Sequence, residues 1–408
     1  KWLGKVVGGE DEDLTRHDKW LCMMYPRLKL LKQLLDDEGI IFVSIDDFEI
    51  LALKSLMNEI FGEENFVDCI VWKKRYGGGA KEKYLVTIHE YILFYAKNKE
   101  SLKNIFVPLD EETIKRYYKL KDSNFKTRGA YRTHPLEAQK SVGKRKNLYF
   151  PIKCPDNSEI LPDWQWRWEK SHVESALKKG EIEFLKNKEG KLTPHTKQYL
   201  YYEDGTQRKA KAFSIIDNIY TQHGTKEISC LFGDSQIFQF AKPSELILQI
   251  LKIANVNSND IILDSFAGSG TTAQAVLELN KEDGGNRKFI LIELEPDICK
   301  KITSERVKKV TKGYSCDAQK IEGTGGGFQY AVLDKKLFNA DGRINSECTF
   351  EELASYLYFT ETKTILDTKK ISKTLLDTHN ETQIHLMFDG IGKNNLDRKF
   401  LSTLDKNK

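Results

Sequence analysis

The chain has 408 residues, of which 40% are hydrophobic and 30% are charged, and its formal net charge is +4. This length predicts roughly two or three domains with hydrophobic cores. No apolar run approaches the ~18 residues of a membrane span, and the first residues have no signal-peptide pattern, so membrane and secreted classes are not indicated. Seven cysteines without a CxxC pair predict neither a zinc site nor a disulfide framework, and they favour a reducing cytoplasm.

The first hundred residues alternate between helix-like and strand-like patterns. Apolar residues recur at helical spacing over 18–35, despite Pro26, and again over 49–61. Dense apolar runs predict three strands, which are 40–45, 67–72 and 91–96. This alternation predicts an α/β sheet.

Asp46 and Asp47 follow directly after the first of these strands. Aspartate is a preferred cap at the N-terminus of a helix, and the next predicted helix begins two residues later. The capping interpretation is therefore favoured, with carboxylates that face a site at the strand end as the alternative.

The segment 111–150 is strongly basic, with 11 Lys and Arg residues against 4 Asp and Glu residues. Aromatic residues are interleaved with these cations. This mixture is typical of nucleic-acid surfaces, because cations neutralise phosphates and planar or forked side chains meet bases. A solvated face without a ligand is the alternative. The candidate nucleic-acid-binding residues are Arg116, Lys126, Arg128, Arg132, Lys144, Arg145 and Lys146.

Trp164, Trp166 and Trp168 stand at alternate positions, so a strand would line them on one face. Tryptophan is mostly buried, so a core ridge is favoured over a platform on which bases stack. Short strands are also predicted at 180–184 and 197–202.

Lys242-Pro243-Ser244 precedes an apolar helix that is predicted over 244–254. Proline suits the first turn of a helix, because its missing N–H would have no intrahelical acceptor there. Taken alone, this segment indicates only a helix start.

Residues 260–296 predict a βαβ unit. An apolar run ends at Asp264, a glycine turn and a helix over 271–279 follow, and a second apolar run ends at Glu293. Both acids would then lie at the carboxyl edge of a parallel sheet, where ligands of such sheets bind.

Within this unit, Gly268-x-Gly270-x-x-Ala273 has the spacing of nucleotide-binding turns. Glycines let the backbone approach a ligand closely, although any α/β protein can have a tight turn of this kind. Two carboxylates suit a ligand rich in hydrogen-bond donors, such as ribose hydroxyls and an ammonium group. A dinucleotide pyrophosphate would be poorly served by Asp264 beside the turn.

The last hundred residues predict a basic amphipathic helix over 297–310 and, after a glycine run, a strand over 328–333. Further on, 350–359 and 361–366 have helical or mixed patterns, and 384–388 has the pattern of a strand.

Two groups of motifs resemble a known family. DSFAGSGTT (264–272) and FILIELEP (289–296) resemble the S-adenosylmethionine motifs of amino-methylating DNA methyltransferases. The stretch from Arg16 to Asp47 resembles the modification subunits of type III restriction systems, in which the catalytic half precedes the cofactor half. The resemblance implies an α/β, Rossmann-like methyltransferase sheet in permuted motif order, with an inserted α+β target-recognition domain and a C-terminal extension. The implied domains are 1–98, 99–232, 233–335 and 336–408.

The resemblance also implies a cofactor, S-adenosylmethionine, held by the glycine turn, the two strand-end acids and the Lys-Pro-Ser segment. No metal is implied. The implied cofactor-binding residues are Lys242, Pro243, Ser244, Asp264, Phe266, Ala267, Gly268, Ser269, Gly270, Thr271, Thr272 and Glu293.

The family's catalytic tetrapeptide, Asp-Pro-Pro-Tyr or similar, is expected shortly upstream of this chain's first motif. All nine prolines of the chain are isolated, so no catalytic residue can be named in it. The tetrapeptide either precedes Lys1 or is missing from an inactive protein. The abrupt start favours a fragment cut at both ends, since half a sheet leaves the exposed edge that proteins avoid.

The function expected from the resemblance is adenine-N6 methylation of duplex DNA, as the modification and specificity subunit of a type III restriction-modification system. The expected partners are double-stranded DNA, a second modification subunit and a restriction subunit with helicase and nuclease activities. The alternatives are a catalytically incomplete DNA-specificity module and a cytosine-N4 methyltransferase. A nicotinamide enzyme is the least favoured interpretation.

Overall fold

The structure is a computed structural model that describes residues 13–79, 83–140, 143–317, 319–339, 341–372, 374–388 and 398–402. The chain divides into two compact units, Lys1–Phe328 and Gln329–Lys408. Among the residues that the structure describes, no helix is long and apolar enough to cross a membrane.

The first unit begins with helices packed on an antiparallel sheet. Its elements are helix α1 (Asp13–Leu34), strand β1 (Ile40–Ile45), helix α2 (Ile50–Phe61), strand β2 (Phe66–Lys73) and strand β3 (His89–Ala96). The two helices pack together because α2 buries residues at helical spacing, among them Leu53, Met57 and Phe61, against Trp20 and Leu28 of α1. The predicted helices and strands of this region are confirmed.

The four-stranded sheet has the order β1-β3-β2-β11, where β11 is Ile215–Ile216. Strands β1 and β2 pair antiparallel with β3, whereas β11 pairs parallel with β2. The chain therefore returns to the edge of this sheet after more than a hundred intervening residues.

The favoured interpretation of Asp46 and Asp47 as helix caps is wrong. Asp46 Oδ1 accepts the N–H of Phe48 at 3.2 Å, within the turn that precedes α2. Glu49 stands at the cap position, without a side-chain hydrogen bond to the first turn. Four residues, 46–49, separate the strand from the helix, so the two aspartates lie too early to cap it.

The middle of the chain combines short helices with antiparallel strands. A three-stranded sheet has the order β5-β9-β8, and two strand pairs are formed by β4 with β10 and by β6 with β7. These elements are β4 (Phe106–Pro108), α3 (Glu111–Tyr117), α4 (Phe125–Arg128), β5 (Tyr131–Pro135), β6 (Ile152–Lys153), β7 (Glu159–Ile160), α5 (Lys170–Lys178), β8 (Ile182–Lys186), β9 (Leu192–Tyr199) and β10 (Lys209–Lys211).

The three tryptophans of this region do not line one face of a strand. Only Trp166 forms an isolated bridge, with Glu137, and the residues around it are loop. Trp166 is 1% exposed within the core of the middle region, and its indole N–H donates to the carbonyl of Phe150 at 2.7 Å. The favoured core role is therefore confirmed for Trp166, while Trp164 and Trp168 are only half-buried.

The second half of the first unit contains the predicted βαβ unit. Strands β12 (Ile261–Asp264) and β13 (Lys288–Leu291) pair parallel and are joined by helix α8 (Thr271–Asp283). The remaining elements are α6 (Thr221–Phe232), α7 (Ser244–Ala254), α9 (Pro296–Ile298), a π-helical turn (Cys299–Thr303), α10 (Ser304–Lys312), β14 (Gly313–Cys316) and β15 (Gln319–Glu322).

Helix α7 joins the two halves of the unit. Leu246 and Ile250 pack against Trp72 and Ile92 of the four-stranded sheet, while Leu251 packs against α8. Among the described strands, β12 and β13 form a sheet of their own, so the halves meet through the core around α7 and not through a hydrogen-bonded ladder.

Two predictions for this half are wrong. Residues 328–333 form no strand, because the chain instead folds back as the hairpin β14–β15 directly after α10. The cysteines did not predict a disulfide, yet Cys230 of α6 and Cys316 of β14 form one, with their Cα atoms 4.7 Å apart. They are 86 residues apart in sequence, and a pairing over that distance depends on the packing of α6 against β14.

The second unit is small. Helix α11 (Phe350–Thr362) begins at Thr349, whose hydroxyl accepts the N–H of Glu352 in a capping box. A hairpin of β16 (Leu375–His379) and β17 (Thr382–His385) follows, and α12 (Arg398–Leu401) is the last element that the structure describes. Leu353, Tyr358 and Leu376 lie in its core. The helix is confirmed, and the predicted last strand, 384–388, overlaps β17 but begins two residues later and ends three residues later.

Candidate functional site

The two predicted acids meet at the glycine turn, at the carboxyl ends of the parallel strands β12 and β13. Asp264 Oδ1 accepts the N–H of Phe266 at 3.0 Å, and its Oδ2 accepts the hydroxyl of Thr272 at 2.5 Å. Glu293 Oε2 accepts the N–H of Gly268 at 2.8 Å. The turn is therefore held between two carboxylates, and each of these oxygens keeps a further lone pair for a ligand.

The glycines of the turn have backbone conformations that favour glycine. Gly268 has a φ of +51° and Gly270 a φ of +80°. A Cβ on Gly268 would lie 3.2 Å from the ring of Phe238, and one on Gly270 would lie 3.1 Å from Cγ2 of Thr303. The turn thus leaves little room on its protein side for any side chain at these two positions.

Helix α8 begins directly after the turn, with Gly270 at its N-cap position. Since Gly270 has no side chain, the first N–H groups of the helix receive no cap from it. Such groups attract partial negative charge. Thr271, Thr272 and Ala273 are buried, so this end of the helix is part of the floor of the site.

The Lys-Pro-Ser segment contacts the glycine turn. The hydroxyl of Thr271 donates to the carbonyl oxygen of Lys242 at 3.1 Å. Pro243 is buried and is the residue immediately before α7, not within its first turn. The structure therefore brings together all three segments that the sequence assigned to one site.

Lys242 also links this site to the four-stranded sheet. Its ammonium group forms a salt bridge with Glu90 of β3 and lies 4.7 Å from the ring centroid of Trp72. Burial alone would raise the pKa of Glu90, but the salt bridges with Lys242 and Lys74 outweigh burial and hold that pKa below its usual value. Glu90 is thus an ionised partner that fixes the lysine.

The aromatic residue of the turn faces outward. Phe266 is 50% exposed beside the two acids, whereas Ala267 and Ser269 are buried. Ile261 of β12 and Ile290 of β13 are also exposed. An exposed ring next to carboxylate acceptors suits a ligand that has both a planar ring and hydrogen-bond donors.

Sequence reasoning missed the side chains that hold the turn from behind. Arg306 of α10 is fully buried and donates to Ser269 Oγ at 2.9 Å and to Thr271 Oγ1 at 3.0 Å. The hydroxyl of Thr303 donates to the carbonyl of Gly268 at 2.6 Å. The helical spacing of the sequence could have revealed Arg306. This arginine lies four residues from both Ile302 and Val310, so it is on the apolar face of its helix.

The predicted nucleic-acid residues fall into two groups. Arg128 is half-buried, where it forms a 2.6 Å salt bridge with Glu181 and stacks 4.2 Å from the ring centroid of Tyr199. Arg132 donates to Gln198 at 2.6 Å and is also half-buried. The other five are exposed, and they are Arg116, Lys126, Lys144, Arg145 and Lys146.

Arg145 lines a concavity of the middle region. This cavity of about 340 Å³ is bordered by Gln139, Arg145 and Arg167 above the buried Trp166. The side chain of the buried Gln165 fixes its rim, since Gln165 Oε1 accepts the N–H of Arg145 at 2.7 Å. Guanidinium and amide groups around a concave surface can form hydrogen bonds with base edges.

A cavity of about 670 Å³ lies beside strand β2, bordered by Asp68, Lys103 and Phe213. It does not include the glycine turn. The chemistry of the side chains, and not the volume of a cavity, therefore identifies the candidate cofactor site.

Comparison with known proteins gives consistent results. A family model for N6_N4_Mtase, described as DNA methylase, matches residues 3–305. The StyLTI Mod subunit of a type III restriction-modification enzyme from Salmonella typhimurium is 36% identical over 302 residues, which cover 72% of this chain and 44% of that protein. The type II methyltransferase M.KpnI from Klebsiella pneumoniae is 32% identical over 306 residues, which cover 70% of this chain and 69% of that protein.

A third relative is the EcoP15I Mod subunit from Escherichia coli, another type III restriction-modification enzyme. It is 30% identical over 315 residues, which cover 69% of this chain and 47% of that protein. The chain therefore spans about half the length of the type III relatives that it matches.

Proposed function

The chain belongs to the N6_N4_Mtase family of DNA methylases, and from this premise we propose that it binds S-adenosylmethionine and serves adenine-N6 methylation of duplex DNA. The observation that carries the proposal is the glycine turn held between Asp264 and Glu293 at one sheet edge. The two carboxylates can accept hydrogen bonds from the ribose hydroxyls and the ammonium group of that cofactor. The exposed ring of Phe266 suits its purine.

The chemistry of the residues present fits this cofactor. The carboxylate of Glu293 would accept the ribose hydroxyls, as acids at the end of the second strand do in nucleotide-binding sheets. Asp264 and the Lys242–Ser244 segment would hold the amino-acid end, and Phe266 would flank the purine ring. A dinucleotide pyrophosphate fits worse, because its charge would be repelled by Asp264 beside the turn.

Bound S-adenosylmethionine supplies the methyl group from a sulfonium centre to a neutral amine. The residues of this chain contribute by binding and orienting the donor, since position and alignment account for much of the acceleration in such transfers. A target base must leave the duplex to reach a methyl donor, so base flipping is part of the proposal.

The middle region is proposed to choose the DNA sequence. Its support is the exposed basic group, Arg116, Lys126, Lys144, Arg145 and Lys146, and the concavity that Arg145 and Arg167 border. Exposed cations would contact phosphates, whereas the concavity offers side chains that can read base edges.

The proposal extends to the assembly. Two relatives are named as Mod subunits of type III restriction-modification enzymes, which supports a restriction subunit as a partner. The proposal also includes helicase and nuclease activities for that partner and a modification-subunit homodimer in the cytoplasm. M.KpnI is named as a type II methyltransferase, so a subunit that acts without such a partner is the second candidate. Size-exclusion chromatography of the full-length protein with and without its candidate restriction subunit distinguishes the two.

The target atom has a second candidate as well. The family name covers both N6 and N4 amino groups, so cytosine N4 is the alternative to adenine N6. Digestion of methylated DNA to nucleosides, followed by mass spectrometry, tests the choice: N6-methyladenine supports the proposal, and N4-methylcytosine overturns it.

A further alternative is a DNA-specificity module that methylates nothing. Its support is the absence of any Pro-Pro pair from this sequence. Sequencing the gene upstream of the codon for Lys1 decides between the two, since an Asp-Pro-Pro-Tyr-like tetrapeptide there favours the enzyme. A reading frame without such a tetrapeptide favours the module.

Cofactor binding is tested by titrating the chain with S-adenosylmethionine in a calorimeter. Gly268→Asp should abolish binding, because it puts a side chain and a negative charge beside Phe238 and Glu293. Gly284→Asp is the matched control, since Gly284 also has positive φ, at +73°, and lies in open space at the far end of α8. Equal affinity in the wild-type chain and Gly268→Asp contradicts the assignment of this turn.

A further inference from the structure

A charged cluster that is largely buried lies behind the glycine turn. The guanidinium of Arg306 is 0% exposed, and its salt-bridge partner Glu227 has a 20% exposed side chain. The two residues come from α10 and α6 and are 79 positions apart in sequence. The cluster is separated from the ligand side of the turn by the turn itself.

The guanidinium donates hydrogen bonds to four side chains. Nε donates to Gln274 Oε1 at 2.8 Å, Nη1 donates to the hydroxyls of Ser269 and Thr271, and Nη2 donates to Glu227 Oε2 at 2.6 Å. Because the fork of an arginine is planar and rigid, these acceptors have a fixed spacing relative to one another.

The same carboxylate reaches the second segment of the site. Glu227 Oε1 accepts both the N–H of Ser244, at 3.0 Å, and its hydroxyl, at 2.8 Å. One Arg–Glu pair therefore connects the glycine turn with the Lys-Pro-Ser segment. These two segments are separated by more than twenty residues of chain, yet they share this one anchor.

Helix α6 is held close enough for this contact by a second feature. Gly224 lies one turn before Glu227, and a Cβ on it would be 2.3 Å from the carbonyl oxygen of Ala241. No side chain fits in that space. The backbone of α6 thus contacts the backbone just before Lys242 directly, and Glu227 follows on the same side of the helix.

Stability does not explain this cluster. Burying a guanidinium costs several kcal/mol of desolvation, and replacing buried ion pairs by apolar residues of similar size is often neutral or stabilising. Burial lowers the pKa of Arg306, and the carboxylate of Glu227 opposes that change. A buried pair of this kind is better suited to fixing geometry than to adding free energy of unfolding.

We propose that Arg306 and Glu227 are positioning residues that set the distance between the glycine turn and the Lys-Pro-Ser segment for S-adenosylmethionine. They touch neither the cofactor nor the base, and they act through Ser269, Thr271 and Ser244. This inference rests on the proposed cofactor, and it adds two residues to the site that the sequence did not assign.

The test compares two buried arginines that both contact α8. Arg306 binds near the N-terminal end of this helix, whereas Arg287 binds Asn280 and Asp283 near its C-terminal end and is 8% exposed. Arg306→Met and Arg287→Met each remove one buried guanidinium and leave a side chain of similar length. The measurements are the melting temperature and the dissociation constant of S-adenosylmethionine by calorimetry.

Arg306→Met should weaken cofactor binding at least about tenfold, which corresponds to the loss of one hydrogen bond to a charged group. Arg287→Met should lower the melting temperature about as much as Arg306→Met does. Its affinity for S-adenosylmethionine should stay within about twofold of the wild-type value, a change too small to indicate the loss of such a hydrogen bond. Arg306→Lys should recover part of the affinity, because an ammonium group can reach some of the same acceptors.

Glu227→Gln keeps the test decisive if Arg306→Met does not fold. It preserves the shape of the side chain but offers a donor where Ser244 or Arg306 needs an acceptor, so affinity should fall here too. Unchanged affinity in folded Arg306→Met or Glu227→Gln overturns the inference, and so does an equal loss in Arg287→Met. A wild-type chain that binds no S-adenosylmethionine overturns the proposed function as well, which distinguishes the two failures.

Discussion

The glycine turn and the basic segment of the middle region use polar side chains in opposite ways. Around the turn, Asp264, Glu293 and Arg306 each have two or more hydrogen bonds within the protein. In the basic segment, Lys126 and Lys146 are exposed to solvent. A site that orients a small molecule must be fixed before the ligand arrives, whereas a surface that attracts phosphates needs only charge in the right area.

The basic segment itself also contains both kinds of side chain, those bound within the protein and those exposed to solvent. Arg128, which the sequence grouped with the exposed cations, belongs to the structure of its module through Glu181 and Tyr199. Charge in a sequence therefore does not by itself distinguish a ligand contact from a structural ion pair. Four experiments follow from this division, beginning with the largest expected effect.

Asp264→Ala should weaken S-adenosylmethionine binding by about a hundredfold and also lower the free energy of unfolding by about 1–3 kcal/mol. The change leaves the N–H of Phe266 and the hydroxyl of Thr272 without their acceptor. Asp260→Ala is the control from the other end of the same strand, where Asp260 accepts the N–H of Asn257. Calorimetry and urea denaturation should give a loss of affinity in Asp264→Ala alone, and equal losses in both variants would count against a ligand-binding turn.

Arg128→Met should lower the free energy of unfolding by about 1–3 kcal/mol, because it leaves the carboxylate of Glu181 half-buried without its partner. Lys126→Met, two residues earlier and exposed, should have little effect. Chemical denaturation followed by tryptophan fluorescence measures both. If the two variants are equally stable, Arg128 belongs with the exposed cations after all.

Removing Arg145 and Lys146 together, as Arg145→Ala with Lys146→Ala, should weaken DNA binding about tenfold. It should also reduce the slope of log affinity against log salt by about 2, since roughly one counterion is released for each phosphate contact. The control pair is Lys188→Ala with Lys191→Ala, at the exposed turn between β8 and β9. An unchanged salt slope in the first pair means that 144–146 is only a solvated face.

Glu278→Gln should have the smallest effect, on the pH dependence of stability. Burial raises the pKa of Glu278, which lies near Arg306 and Glu227 and bonds Gln274. A raised folded-state pKa means that the folded protein holds this proton to a higher pH than the unfolded chain does. The stability that this group contributes at low pH is lost as the pH rises through that pKa. Removing the charge should thus raise the melting temperature at pH 8 more than at pH 5, and a uniform shift contradicts the raised pKa.

Much of the local architecture follows from patterns within a few residues. The strand over 40–45 and the helix over 244–254 have the bounds that their apolar runs predict, because both depend on short-range periodicity. The glycine turn likewise forms where its spacing predicts, since positive φ at Gly268 and Gly270 is a local property. The strand predicted over 328–333 does not form, because the chain after α10 forms the hairpin of β14 and β15 instead. The apolar pattern of a sequence does not show which strand another strand will pair with.

The sequence by itself determined an α/β protein with a βαβ unit, two acids at the strand ends and a basic middle region, because these follow from periodicity and from short motifs. Only the tertiary structure decided which charged groups support the fold and which face a ligand. Arg306 binds Ser269 and Glu227, residues 37 and 79 positions away, and Arg128 binds Glu181, 53 positions away. A charged side chain acquires its role from its partners, and partners at such distances are brought together only by packing.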